Sequence, residues 1–303
     1  MQLRFDLRTL QVFISVVDLS SITRAAKREN IAASAVSKRV ADLEQALGAE
    51  LLYRQTRGVE PTQAGLALLR HARSIIQGVE RLTGELSQYS KGVRGNVRML
   101  VNKSAMVQFL PDDLRSFLNI YPDVRIDLQE EYSPRILSGI MDGSADIGVF
   151  TAGSGDSGTL KTLEYKRDRL VLIVPRGHAL AGRDSVRFTE AVGYDLVALA
   201  SDSAWNVLLT RAAAEVGTDL NIRFRVASFD AVCRMVAADL GIAVGPQGML
   251  RAVALSGLVE VGLDEPWAKR RLMVAVRDLG SLSAAARFMV KHLVGERVGS
   301  SFD

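Results

Sequence analysis

The 303-residue sequence predicts a mainly helical winged helix-turn-helix head, a long linker helix and an α/β body. Three observations carry that expectation. Residues 21–57 read as two short helices, a tight turn and a basic hairpin, a layout that seats one helix in a DNA major groove. Residues 65–89 repeat apolar side chains at alternating spacings of four and three. From residue 96 onward, strand-like and helix-like runs alternate.

Composition narrows the class. The length suits about two domains, and a hydrophobic content of 48% supports a sizeable core. No apolar run reaches the ~20 residues of a membrane helix. The N-terminus carries Arg4, Asp6 and Arg8 and has no apolar signal core, so a cytoplasmic protein is expected. The lone Cys233 excludes an internal disulfide and reads as a small buried hydrophobe. His71, His178 and His292 have no metal-ligand spacing, and no cofactor is expected. Charge is uneven. Residues 1–91 carry 13 Lys and Arg against 9 Asp and Glu, whereas 92–303 carry 25 of each. The basic excess therefore lies in the N-terminal third, as suits a nucleic-acid-binding head on a neutral body.

In the head, Leu7, Leu10, Phe13, Ile14 and Val17 predict a helix over 6–18. Ser20 and Ser21 offer an N-cap to a second helix over 22–28, and Asn30 suits the turn after it. The third helix is expected over 33–47, ending at Gly48. Val36, Val40, Leu43 and Leu47 share one arc; Ser34, Lys38, Ala41 and Gln45 lie opposite. Ser34, Ser37 and Lys38 are therefore the candidates for base edges, with Arg39 on the flank for phosphate. Residues 49–60 read as a wing anchored by Leu51 and Leu52. Its Arg54 and Arg57 suit phosphate or a narrow minor groove. Thr62 is the expected N-cap of the next helix and the last DNA-contact candidate.

Along that helix Leu68, Ala72, Ile75, Val79, Leu82, Leu86 and Tyr89 form a seam of about three heptads. A helix this long between two domains is expected to pair with its copy in a second chain. Residues 91–95 read as a hinge with two glycines. In the body, strands are expected over 97–101, 124–129, 146–150, 170–174, 196–200, 222–226, 242–245 and 272–276. Helices are expected near 106–120, 134–142, 204–216, 229–240 and 281–294. Gly153 to Gly158 match the GxGxxG spacing, but 159–164 alternates like a strand where a dinucleotide site needs a helix, so the stretch reads as a loop.

The head pattern resembles that of the LysR-type transcriptional regulators almost residue by residue. It runs Ala25-Ala26, Ser34-Ala35-Val36-Ser37-Lys38, Leu43-Glu44, Leu47-Gly48, Leu51-Leu52, Arg54, Arg57 and Thr62-Gln63-Ala64-Gly65. Two positions depart. The family often has Gln-Pro at Ala33-Ser34 and more commonly Arg at Lys38, and Lys lacks the bidentate fork of Arg. The body resembles the effector domain of the same family through Leu110-Pro111, Phe117, 121–124, 143–148, Val174-Pro175, 178–180 and 241–246.

The resemblance implies a two-lobed α/β fold of the type II periplasmic-binding-protein kind. It also implies a winged head over 1–61, a dimerising helix over 62–91 and an effector domain over 92–303. Lobe I would be about 93–161 with 268–303, and lobe II about 162–267. The implied function is sequence-specific transcriptional regulation switched by a small-molecule effector, a carboxylate or an aromatic compound, with no enzymatic activity. The implied partners are double-stranded DNA, a second copy in a dimer or tetramer, and RNA polymerase. Strand-end loops then supply the effector candidates: Lys103, Ser104, Tyr132, Ser133, Phe150, Thr151, Ser201, Asp202 and Phe229. Ser104 and Ser133 match family positions that bind effector oxygens. The competing expectation is an architectural DNA binder whose body only oligomerises, with little sequence preference.

Overall fold

The computed structural model describes residues 5–55, 58–88, 93–199, 204–253 and 255–295. They form two compact units: Met1–Gly95 with Asp142–Ser144 and Gly280–Ala285, and the remainder.

The first unit begins with helices α1 (Leu7–Leu19), α2 (Ile22–Glu29) and α3 (Ala33–Leu47). Asp6 caps α1 by accepting from the Thr9 amide at 2.7 Å, and Ser21 caps α2 by accepting from the Arg24 amide at 3.3 Å. Asn30 ends α2 in the left-handed region at φ 58°, a conformation Asn tolerates and most side chains do not. Val12, Phe13, Val16, Ala25, Ala26, Val36, Val40 and Leu43 bury their side chains together. Each large one contributes about 1.5–3 kcal/mol relative to exposure.

The wing is an antiparallel pair, β1 (Leu52–Gln55) and β2 (Gly58–Pro61), with Leu52 opposite Pro61. Glu44 of α3 pins it: one carboxylate oxygen accepts from the Leu51 amide at 2.8 Å and the Leu52 amide at 3.2 Å. Helix α4 (Gln63–Gln88) follows at once. At Gly65 a Cβ would sit 2.1 Å from the Leu51 carbonyl oxygen, so only glycine lets α4 start this close to the wing.

In the second unit, lobe I is built from β3 (Gly95–Val101), α5 (Lys103–Gln108), α6 (Leu110–Ile120), β4 (Val124–Glu130), α7 (Ser133–Asp142) and β5 (Ile147–Thr151). Strand β6 (Lys161–Pro175) leads into lobe II, which holds β7 (Ser185–Val186), α8 (Phe188–Ala191), β8 (Leu196–Leu199), α9 (Ala204–Glu215), β9 (Ile222–Val226), α10 (Phe229–Ala237), β10 (Ala243–Pro246), α11 (Gln247–Val253) and β11 (Leu258–Leu263). Strand β12 (Lys269–Val276) returns to lobe I, and α12 (Ala284–Val294) closes the order.

The main sheet runs β4-β3-β5-β12-β6-β11-β7, with β10 also on β6. β3 and β5 are parallel; β12 is antiparallel to both β5 and β6. β8 and β9 form a separate parallel pair, bridged to β10 through Leu196 and Ile242. β6 and β12 thus carry the chain between the lobes.

Sequence periodicity finds only 170–174 of β6. There Leu170, Leu172 and Val174 face one lobe II core, with Phe188 and Leu196, while Val171 and Ile173 face another, with Phe229 and Cys233. Burial on both faces makes an unbroken apolar run. The first half of β6 is a half-exposed, charge-rich ribbon and lacks that signal. The single helix expected near 106–120 is two: Phe109 leaves helical geometry and Pro111 opens α6. No helix among the described residues is long and apolar enough to cross a membrane.

Candidate nucleic-acid interface and ligand cleft

On α3, Val36, Val40 and Leu43 turn into the head, while Ser34 and Lys38 are exposed and Ser37 is half-buried. The outward edge is therefore short and polar near the helix N-terminus, and Ala41 and Gln45 continue it in the open. Leu47, expected in the buried arc, is 42% exposed because the helix stops at the following Gly48.

Arg39 does not stand free on the flank. Its guanidinium donates to the Thr9 hydroxyl at 2.9 Å and to the Asp6 carboxylate at 3.3 Å, tying α3 to the start of α1. The Thr9 hydroxyl and amide, with Arg39 beyond them, hold the Asp6 carboxyl below its ordinary value. Thr62 is a correction. It is buried, its hydroxyl donates to the Glu50 carbonyl at 2.7 Å and accepts from the Gly65 amide at 3.0 Å, so it caps α4 and has no donor left for phosphate. The Arg54 side chain and Arg57 lie outside the described residues, as do the side chain of Leu86 and Tyr89.

The expected helical seam is also corrected at its start. Leu68 packs against the head's own core and Ala72 is fully covered within its own chain, so a second helix cannot reach Ala72. Further along, Ile75, Val79 and Leu82 stay exposed, Leu82 by 58%.

In the second unit one cavity of about 250 Å³ lies where strands end. Asn102, Lys103 and Ser104 follow β3; Glu130, Glu131, Tyr132 and Ser133 end or follow β4; Thr151 ends β5; Leu199 ends β8 and Ala227 follows β9. Both lobes thus present the carboxyl ends of their strands to it, the usual ligand position in such sheets. Trp205 adds an aromatic wall and Arg270 a cation. Asn102 fixes the floor, capping α5 through the Ala105 amide at 2.9 Å and donating to the Thr151 hydroxyl at 2.9 Å. The Thr151 amide donates to the Ser133 hydroxyl at 3.3 Å. Arg270 is buried; it donates to the Ser104 hydroxyl at 3.1 Å and pairs with buried Asp168. Burial works against its charge and Asp168 supports it. Lys103 stands 3.8 Å from Glu130 in a half-exposed pair.

Residues 7–66 match the bacterial regulatory helix-turn-helix protein, lysR family, and residues 90–297 match the LysR substrate binding domain. The chain belongs to the LysR family. It is a DNA-binding transcriptional regulator with an effector-binding domain. Regulators of this family bind DNA and small-molecule effectors and form oligomers; they are transcription regulators, not enzymes. This LysR-type regulator is 29% identical over 287 residues to the uncharacterized regulator YwbI of Bacillus subtilis, covering 95% of each chain. It is 28% identical over 285 residues to the nitrogen assimilation regulatory protein nac of Klebsiella aerogenes, covering 93% of this chain and 92% of that one. Its fold is similar to that of a full-length OxyR variant from Pseudomonas aeruginosa, with a TM-score of 0.77 at 16% identity over 97% of this chain and 94% of that one.

Five of the expected effector residues line the cleft of this LysR-type regulator: Lys103, Ser104, Tyr132, Ser133 and Thr151. Two do not. Phe150 is buried against Ile136 and Ile140, because its neighbour Thr151 takes the cleft side of β5. Phe229 is buried against Val232 and Cys233 and backs Trp205 edge-on at 5.6 Å, so Trp205 is the ring that reaches the cavity. Ser201 and Asp202 lie outside the described residues. Sequence reasoning misses Asn102, Glu130, Glu131 and Ala227 although they adjoin strand ends; Trp205 and Arg270 have no local signal in the sequence.

Proposed function

We propose that Ser34, Ser37 and Lys38 read base edges in the operators of this regulator, with Arg54 and Arg57 holding the backbone beside them. Arg39 keeps α3 at a fixed angle to α1. Pairing of Ile75, Val79 and Leu82 with a second copy sets two heads on two half-sites.

We further propose that the effector is a small zwitterion, a carboxylate joined to a protonated amine. One observation carries this: the cavity collects strand ends from both lobes and lines itself with both signs, Lys103 and Arg270 against Glu130 and Glu131. A pure anion meets two carboxylates there and a pure cation meets two cationic groups. Its volume of about 250 Å³ equals about eight waters, the scale of an amino acid. The hydroxyls of Ser104 and Ser133 suit the carboxylate, and Trp205 and Tyr132 suit an apolar side chain.

A thermal-shift panel of amino acids, monocarboxylates, aromatic acids and amines tests the reading. Zwitterions are expected to raise the melting temperature most. Glu131→Gln should weaken them while leaving monocarboxylates unaffected. Equal responses to zwitterions and monocarboxylates would remove the amine from the ligand. No response from any class would remove this cavity as the effector site.

A further inference from the structure

We propose that a second ligand site lies on the two strands that join the lobes, and that it takes a small polyanion carrying two or more phosphate or carboxylate groups. A cavity of about 740 Å³ opens there between β6, β12, the α5–α6 corner and α11. Six cationic residues border it, Arg167, Arg169, Arg251, Lys269, Arg270 and Arg271, against one carboxylate residue, Asp168.

The strand register makes this cluster costly without a ligand. In the antiparallel pairing of β6 and β12, Lys269 is directly opposite Arg169 and Arg271 is directly opposite Arg167. Side chains alternate between faces along a strand, so these four cations share one face while Arg270 and Asp168, paired between them, share the other. Like charges directly opposite each other destabilise a strand pair. Two such pairs in succession are an arrangement that strand pairing alone does not favour and that an anion between them relieves.

Little else in the protein relieves it. Arg167 donates to Glu164 at 2.9 Å and Arg251 to Glu260 at 3.3 Å. Among the described residues, Arg169, Lys269 and Arg271 make no ion pair. Guanidinium forks grip phosphate and carboxylate oxygens in pairs, and several in one concave wall favour multiple charge over single charge. The concavity distinguishes the site from a flat basic strip that would track a nucleic-acid backbone.

The test uses the full-length protein, with inorganic pyrophosphate and citrate as probes and acetate and sodium chloride at matched ionic strength as controls. Pyrophosphate or citrate should raise the melting temperature saturably, with a dissociation constant below a millimolar by calorimetry. The stronger probe tells phosphate from carboxylate. Arg169→Ser with Lys269→Ser should lower that affinity at least tenfold. The same double variant, without ligand, should melt no lower than the parent because a repulsive pair is gone. If it does not fold, Arg271→Gln alone should lower the affinity at least threefold. The proposal fails if the matched salts stabilise as well as pyrophosphate, or if the variants bind pyrophosphate as the parent does. It also fails if pyrophosphate does not saturate while the double variant loses affinity for a random 30-bp duplex; the cations then serve the DNA backbone.

Discussion

Lys38 and Arg57 are expected to do different things on DNA. Lys38 is exposed on the outward polar edge of α3 proposed to meet base edges, so Lys38→Ala should weaken operator binding more than random-duplex binding in a polarisation assay. Arg57→Ala should weaken both alike, as loss of a phosphate contact does. Cys233 is a second residue with a definite expectation. Burial, then the charge of Asp230, pushes its thiol up to about 11 from an ordinary 9.0. Folding therefore favours the neutral thiol. Its contribution to stability is complete below about pH 9 and falls away as pH rises through the folded value of about 11. Alkaline melts of the parent should drop across that window more steeply than melts of Cys233→Ala. At pH 7.5 a maleimide should label the native protein far more slowly than the unfolded chain. Phe229 is a third. Sequence reasoning assigns it to the ligand, yet it fills a core, so Phe229→Ala should cost about 3–5 kcal/mol in urea unfolding. If that variant kept its stability and lost only ligand, the core assignment would be wrong.

Elements are legible where one local signal fixes them. Ser21, Asn30 and Gly48 mark the ends of α2 and α3, and the structure has caps or left-handed residues at all three. The doubly buried half of β6 announces itself by five apolar residues in a row. Elements whose form is set by partners are not legible. The charged half of β6, the short β7 and β11 depend on pairing across long sequence separations. The cleft divides the same way. Ser104 and Ser133 sit beside strands that periodicity finds, whereas Arg270 reaches Ser104 from 166 residues away. Helix α4 provides the sharpest element-scale test. Ile75, Val79 and Leu82 leave an apolar stripe exposed beyond the head core, so the parent should run as a dimer or larger in light scattering and Leu82→Asp as a smaller species with the head still folded. A variant still fully dimeric would move the pairing surface elsewhere.

At the scale of the whole molecule, a ligand switches a regulator only if it binds one arrangement more tightly than another. Tenfold tighter operator binding with effector requires about 1.4 kcal/mol of coupling, and the operator must then tighten effector binding tenfold in return. Calorimetry of the effector with and without operator DNA checks that reciprocity. One joint in the head bears on how such a change is delivered. Gly65 presses the first turn of α4 against the Leu51 carbonyl, and the Thr62 hydroxyl holds the same corner to Glu50. Backbone touching backbone leaves no slack there. Any roll of the stalk is therefore transmitted to the hairpin at its foot, and a twist applied further along the helix arrives there as a tilt of the wing.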